Sequence, residues 1–144
     1  MIPAFTEQGF LPPGIHRATV EEFKERFVVF QGSDRRFQIF GDLEKLFDQA
    51  ARSGIIKRII MAGSFVTAKP EPNDFDCLVV LDPAIVGTPL RPVEYQLVSR
   101  RMARRMFGGD VMPALDQSMA LQQYLAFFQT TRDGTRVGMV EIQL

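Results

Sequence analysis

Tryptophan is absent from the chain, tyrosine occurs twice, and cysteine and histidine occur once each, as Cys77 and His16. One cysteine excludes an internal disulfide framework and a cysteine-rich zinc site, and it fits a reducing compartment. One histidine removes the commonest ligand of a metal hydrolase. It also leaves Ser64 without the His-Asp relay of a serine hydrolase. Charge of one sign is lacking too: 17 basic residues balance 17 acidic ones, so no global field recruits nucleic acid or an anionic membrane, and any such contact is local. No apolar run approaches the length of a membrane span, and the N-terminus lacks a basic region followed by an apolar core. The expectation is a cytoplasmic protein with no membrane partner. Repeats, low-complexity stretches and interdomain linkers are missing as well, so the 144 residues are read as one domain with its own core. The 13 phenylalanines make that core largely aromatic.

Pro3, Gly9, Pro12, Pro13 and Gly14 predict an extended N-terminal arm over residues 1–18. Its Phe5, Phe10, Leu11 and Ile15 are too apolar for a free tail, so the arm packs on the domain or a partner, and His16 within it is structural or exposed. The domain proper spans 19–144. Thr19 and Glu22 form a capping box for a helix with Val20, Phe23, Phe27 and Phe30 on one face, ended by Gln31-Gly32-Ser33. A longer helix over 34–53 carries Leu43, Leu46, Phe47 and Ala50 at helical spacing, with Gly54 as its cap. Residues 55–61 and 77–81 are β-branched, apolar runs that suit buried strands. A helix over 93–107 places Tyr95, Val98, Met102 and Met106 on one side and Arg100, Arg101, Arg104 and Arg105 over the rest. Those arginines form either a solvated face or a surface reaching a triphosphate or an RNA backbone. Residues 110–112 read as a short strand stopped by Pro113, and Asp116 as the N-cap of a final helix striped by Leu121, Tyr124, Leu125 and Phe128. A closing strand runs over 137–144. The order predicts an α/β (α+β) domain with a small mixed β-sheet flanked by helices.

The stretch from Met61 to Leu81 carries the chemistry. The first strand stops at Gly63-Ser64, where glycine lets the backbone turn and approach a ligand, and serine offers a hydroxyl and an amide to an anion. Asp74 and Asp76 follow at the mouth of the second strand, two residues apart and so on one face, continued by Leu78 and Val80. Phe75, Cys77 and Val79 take the other face, which makes Cys77 a small core residue. Paired carboxylates repel each other, and the arrangement makes best sense around a divalent cation. The plainer alternatives are a strand-ending turn at Gly63-Ser64, a turn cap at Asp74, and an ion pair of Asp76 with an arginine such as Arg58.

Gly-Ser, a loop, then Asp-x-Asp entering a strand resembles the signature of the polymerase-beta-like nucleotidyltransferase superfamily. In size the chain looks closest to its minimal members found beside toxins, whose loop is slightly longer. The resemblance implies a nucleotidyltransferase-like fold in which Gly63 and Ser64 hold the triphosphate of an NTP such as ATP. It also implies that Asp74, Asp76 and a third carboxylate hold Mg²⁺ or Mn²⁺. Asp110, on the strand after the helix, is the first choice for the third; Glu141, in Val-Glu-Ile, is the alternative. The implied activity moves a nucleotidyl group from an NTP to a protein or RNA acceptor, in a toxin-antitoxin or phage-defence pair. The competing reading is a non-catalytic binding module of the same fold, antitoxin-like, docking through its apolar arm. Missing pocket walls would come from a partner or from a second copy in a homo-oligomer.

Overall fold

A computed structural model describes residues 1–144 and has an α+β architecture. Five strands, β1 Gly14–Thr19, β2 Ile56–Ala62, β3 Asp76–Leu81, β4 Asp110–Leu115 and β5 Gly138–Gln143, form one open mixed sheet in the order β1-β5-β2-β3-β4. β2 runs antiparallel to β3 and β5, while β4 is parallel to β3 and β1 is parallel to β5. The helices are α1 Val20–Lys24, which widens into a π turn over Glu25–Val29, α2 Asp34–Ser53, α3 Pro92–Val98, α4 Arg100–Phe107 and α5 Met119–Phe128. No helix is long and apolar enough to cross a membrane.

The alternation along β3 divides the molecule into layers. Cys77 and Val79 join a core of 25 buried residues that includes Phe23, Phe27, Leu43, Leu46, Leu97 and Phe107. Leu78 and Val80 join eight residues on the opposite face, covered by α5 through Leu121. The capping box forms as expected: the Thr19 hydroxyl accepts from the Glu22 N–H, and the Glu22 carboxylate accepts from the Thr19 N–H, both at 3.1 Å. Ser33 caps α2, and Gly54 ends it in the left-handed region.

Five expectations need correction. Residues 14–18 are strand β1 at a sheet edge; only residues 1–13 lack helix and strand, and of these Leu11 is buried and Phe5 lies 6.1 Å from Phe27. Phe30 is 76% exposed, because the π turn, closed by the Phe30 N–H on the Glu25 carbonyl, advances the phase and buries Val28 instead. The single helix over 93–107 is two. Ser99 leaves the helical region at φ −106° and ψ 116°, and its hydroxyl caps α4 by accepting from the Met102 N–H. The phase is thereby reset, so Leu97, Ala103 and Phe107 are buried while Tyr95 and Met106 are exposed. Pro113 does not stop β4, which continues to Leu115, since an edge strand tolerates a residue with no N–H to donate. Finally, Ser118 rather than Asp116 caps α5; the Asp116 carboxylate faces Lys57 at 3.4 Å and Arg58 at 3.5 Å.

Candidate functional site

At the end of β2 the chain enters a 3-10 turn, Gly63–Val66, with Gly63 at φ +71°. The turn is tied off by Thr67, whose N–H and hydroxyl both donate to the Ser64 carbonyl. The Ser64 hydroxyl makes no hydrogen bond within the chain and lines a cavity of about 1040 Å³.

The loop leaving this turn is pinned from beneath by a residue that pattern reading did not single out. Arg36, on the first turn of α2, is fully buried with no carboxylate beside it. Its guanidinium donates to the carbonyls of Phe27 at 2.8 Å, Phe65 at 2.7 Å, Thr67 at 2.9 Å and Lys69 at 2.7 Å, and it stacks over the Phe65 ring. Burial pulls its pKa down to about 10, yet it remains charged at neutral pH, balanced by converging carbonyl dipoles. From the side, the Ala68 N–H donates to the Gly9 carbonyl at 2.9 Å, so the N-terminal segment supplies a further wall.

β3 begins at Asp76, which lies opposite Ala62 on β2 and in register with Asp110 on β4. Its carboxylate sits where Gly63 leaves room, since a Cβ on residue 63 would lie 2.2 Å from Asp76 Oδ2. Burial, first, and the charges of Asp74 and Asp110 raise the Asp76 pKa to about 6; a hydrogen bond with Asp110 adds to this, and Arg104 opposes it. Asp74 lies just outside the strand. Arg104, on α4, extends one guanidinium nitrogen to Asp74 Oδ2 at 2.7 Å and to Asp110 Oδ1 at 3.4 Å, and the hydrogen bond to Asp74 holds the guanidinium above its ordinary pKa. Gly109, just before Asp110, is packed so closely on the Phe75 ring that a Cβ would fall 2.5 Å from it. The start of β4 is thereby seated against β3.

The structure therefore brings Asp74, Asp76 and Asp110 together and sets Glu141 apart. Glu141 lies opposite Ile60, where its carboxylate pairs with Arg17 at 3.2 Å and Arg58 at 3.1 Å. Arg58 is thus engaged with Glu141 and Asp116, not with Asp76. As they stand, no three acidic, histidine or cysteine side chains form a group that could hold a metal ion; Arg104 bridges two of the aspartates.

Gly63, Ser64 and Asp76 all line the large cavity, whereas Asp74 borders a separate cleft of about 170 Å³. The cavity wall adds Lys69 from the pinned loop, Arg132 from the turn before β5, and Phe127 from the end of α5. Neither cation takes part in an ion pair within the chain. The arginines of the 93–107 stretch allow either a solvated face or contacts with a phosphate; of them, Arg104 reaches two of the aspartates. Lys69 and Arg132 carried only loop and turn signals. His16 Nε2 is bonded to the Pro12 carbonyl at 2.7 Å, a structural role. Cys77 is fully buried, and burial pushes its thiol far above the ordinary range, which makes it inert.

No curated protein and no solved structure matches this chain. A family model does, over residues 3–143, nearly the whole length, and the protein belongs to that family, described as a family of unknown function (DUF6932).

Proposed function

We propose that the protein is a Mg²⁺- or Mn²⁺-dependent nucleotidyltransferase, similar to the polymerase-beta-like superfamily, acting from an NTP on a protein or RNA acceptor. The observation that carries this reading is the common placement of an unengaged Ser64 hydroxyl and the Asp76 carboxylate in one cavity, with Asp110 in register with Asp76 and Asp74 joined to Asp110 through Arg104. The donor set fits a hard cation, because three carboxylates supply only oxygen ligands. The missing Cβ of Gly63 leaves Asp76 its place, and the Asp76 pKa is raised first by burial and then by the charges of Asp74 and Asp110, a repulsion that a cation would relieve. Asp74, Asp76 and Asp110 would hold the metal, which supplies charge neutralisation at the reacting phosphate.

The chain's own residues do the rest. Ser64 and the amides of its turn receive phosphate oxygens, with Lys69 and Arg132 as counter-charges. Arg36 keeps the loop from Ser64 to Lys69 fixed, so the donors of the Ser64 turn need no reorganisation on binding. Arg104 neutralises the aspartates until a ligand arrives, and its exposed side chain is then released toward solvent or phosphate. In the transfer, a bond forms between the acceptor oxygen and the α-phosphorus as the bond to the β-phosphate bridge breaks; pyrophosphate leaves with the bridging oxygen, and the acceptor hydroxyl's proton passes to solvent.

The Arg104 bridge also favours a second reading, a non-catalytic binding module whose aspartates are satisfied internally. The two are separated by incubating α-labelled ATP, Mg²⁺ and the protein with a cell lysate. Label transferred to protein or RNA, and lost on chelation or in the Asp74→Asn/Asp76→Asn double variant, supports the enzyme. No transfer, with no affinity for NTP, supports the binding module.

A further inference from the structure

We infer that the cavity seats the aromatic base of its nucleotide on the ring of Phe127, an assignment that rests on the nucleotidyltransferase reading and specifies its ligand. Phe127 is 71% exposed, while the other aromatics of α5, Tyr124 and Phe128, are partly buried against the smaller core. The next residue, Phe128, packs against the smaller core and meets Phe127 edge to face, with ring centroids 5.0 Å apart and an interplanar angle of 90°. In that arrangement, whichever ring presents its edge, Phe128 leaves at least one face of Phe127 uncovered. Phe127 also lines the cavity that holds Ser64, Lys69 and Arg132.

The two halves of this wall ask for different chemistry. A serine hydroxyl and two unpaired cations suit a polyanion, and an inorganic polyphosphate or a sugar phosphate would satisfy them. The open ring is satisfied by neither; it calls for a planar π system. A nucleoside triphosphate joins both in one molecule, and the volume of about 1040 Å³ reaches the upper end of cavities that enclose small ligands. Stacking on a phenylalanine tolerates every base, because each has a π face. The ring therefore selects nucleotides over inorganic polyphosphate and does not choose among the bases.

The absence of tryptophan makes the test direct. Phe127→Trp introduces the only indole of the chain. Its emission is followed while each of the four ribonucleoside triphosphates, and inorganic tripolyphosphate, is added with Mg²⁺, and affinities for wild type and Phe127→Ala are measured by calorimetry. The expected result is quenching by all four nucleotides and none by tripolyphosphate. Phe127→Ala should lose about five- to hundredfold in nucleotide affinity, with tripolyphosphate affinity unchanged. Unchanged nucleotide affinity in Phe127→Ala, or equal losses for nucleotide and tripolyphosphate, overturns the stacking assignment while leaving the anion site and the proposed activity standing. If neither ligand binds the wild type, both readings fall together.

Discussion

Replacing Gly63 with alanine tests whether the Ser64 turn and Asp76 are mechanically one unit. Two costs can be separated. At φ +71° an L-residue is strained by about 1–2 kcal/mol. The new Cβ would also lie 2.2 Å from Asp76 Oδ2 and 3.0 Å from its Cγ. The carboxylate must therefore rotate away from its preferred rotamer, at a cost of about 0.5–1.5 kcal/mol. Together these predict a loss of about 1.5–3.5 kcal/mol, or roughly 5–12 °C in melting temperature for a domain of this size. In an Asp76→Ala background the carboxylate is gone and only the backbone strain, with a tight 3.2 Å contact to the Cβ of residue 76, remains. The same glycine replacement should then cost about 1 kcal/mol less. Urea unfolding of the four proteins of this cycle gives the coupling directly. Gly63→Ala should also weaken Mn²⁺ binding, because Asp76 is displaced from the other aspartates. Equal destabilisation in both backgrounds would refute the reasoning, since the glycine would then serve the turn alone and not the carboxylate.

Three further outcomes follow from the site. Asp76 has a folded-state pKa of about 6, raised from 3.8, so its contribution to stability is present below pH 4 and is lost as pH rises through 6. In metal-free buffer Asp76→Asn should therefore be more stable than wild type at pH 7 and not at pH 4; an equal gap at both pH values in urea titrations would contradict the assignment. Arg36→Met removes the guanidinium from four carbonyls, of which Thr67 keeps a second donor in Gln31, and should cost about 3 kcal/mol or more, with Arg36→Lys recovering only part because it lacks the planar fork; a loss below 1 kcal/mol in either would dismiss the pinning role. Ser64→Ala removes one hydrogen bond to a charged group and should lower NTP affinity roughly ten- to hundredfold while Mn²⁺ still binds, and calorimetry showing identical NTP affinity would leave Gly63-Ser64 as a plain turn.

Local signals carried far in this chain. The capping box at Thr19 and Glu22, the bounds of α2 and the two faces of β3 were all legible because each depends on residues within one or two turns or on strict alternation. The grouping of Asp74 and Asp76 with Asp110, and the preference for Asp110 over Glu141, follow from the resemblance and not from residue spacing; what sets Glu141 apart, Arg17 and Arg58 reaching it from β1 and β2, has no sequence signal. What stayed hidden was phase and distance. One extra residue in the π turn exposes Phe30, one serine resets the helix at position 99, and neither leaves a mark in hydrophobic periodicity. Arg36 reads as a surface arginine at the start of a helix; its partners are backbone carbonyls more than 30 residues away in the case of Thr67 and Lys69, and carbonyls have no sequence signature. Edge strand β1 was masked by the prolines and glycines before it, since its partner β5 lies at the opposite end of the chain.

The unequal division of the core between the two sheet faces bears on how a ligand enters. On the α2 side, 25 buried residues lock the loop around Ser64. On the other side α5 rests on a group of eight and contributes one fully buried residue, Leu121. Free energies of local opening track such burial, so the amides of α5 should exchange with solvent deuterium well before those of α2. The wall bearing Phe127 is then the compliant jaw of the cavity and the wall bearing Ser64 the fixed one, so the cavity can open by loosening a single helix while Asp76 and Asp110 keep their register.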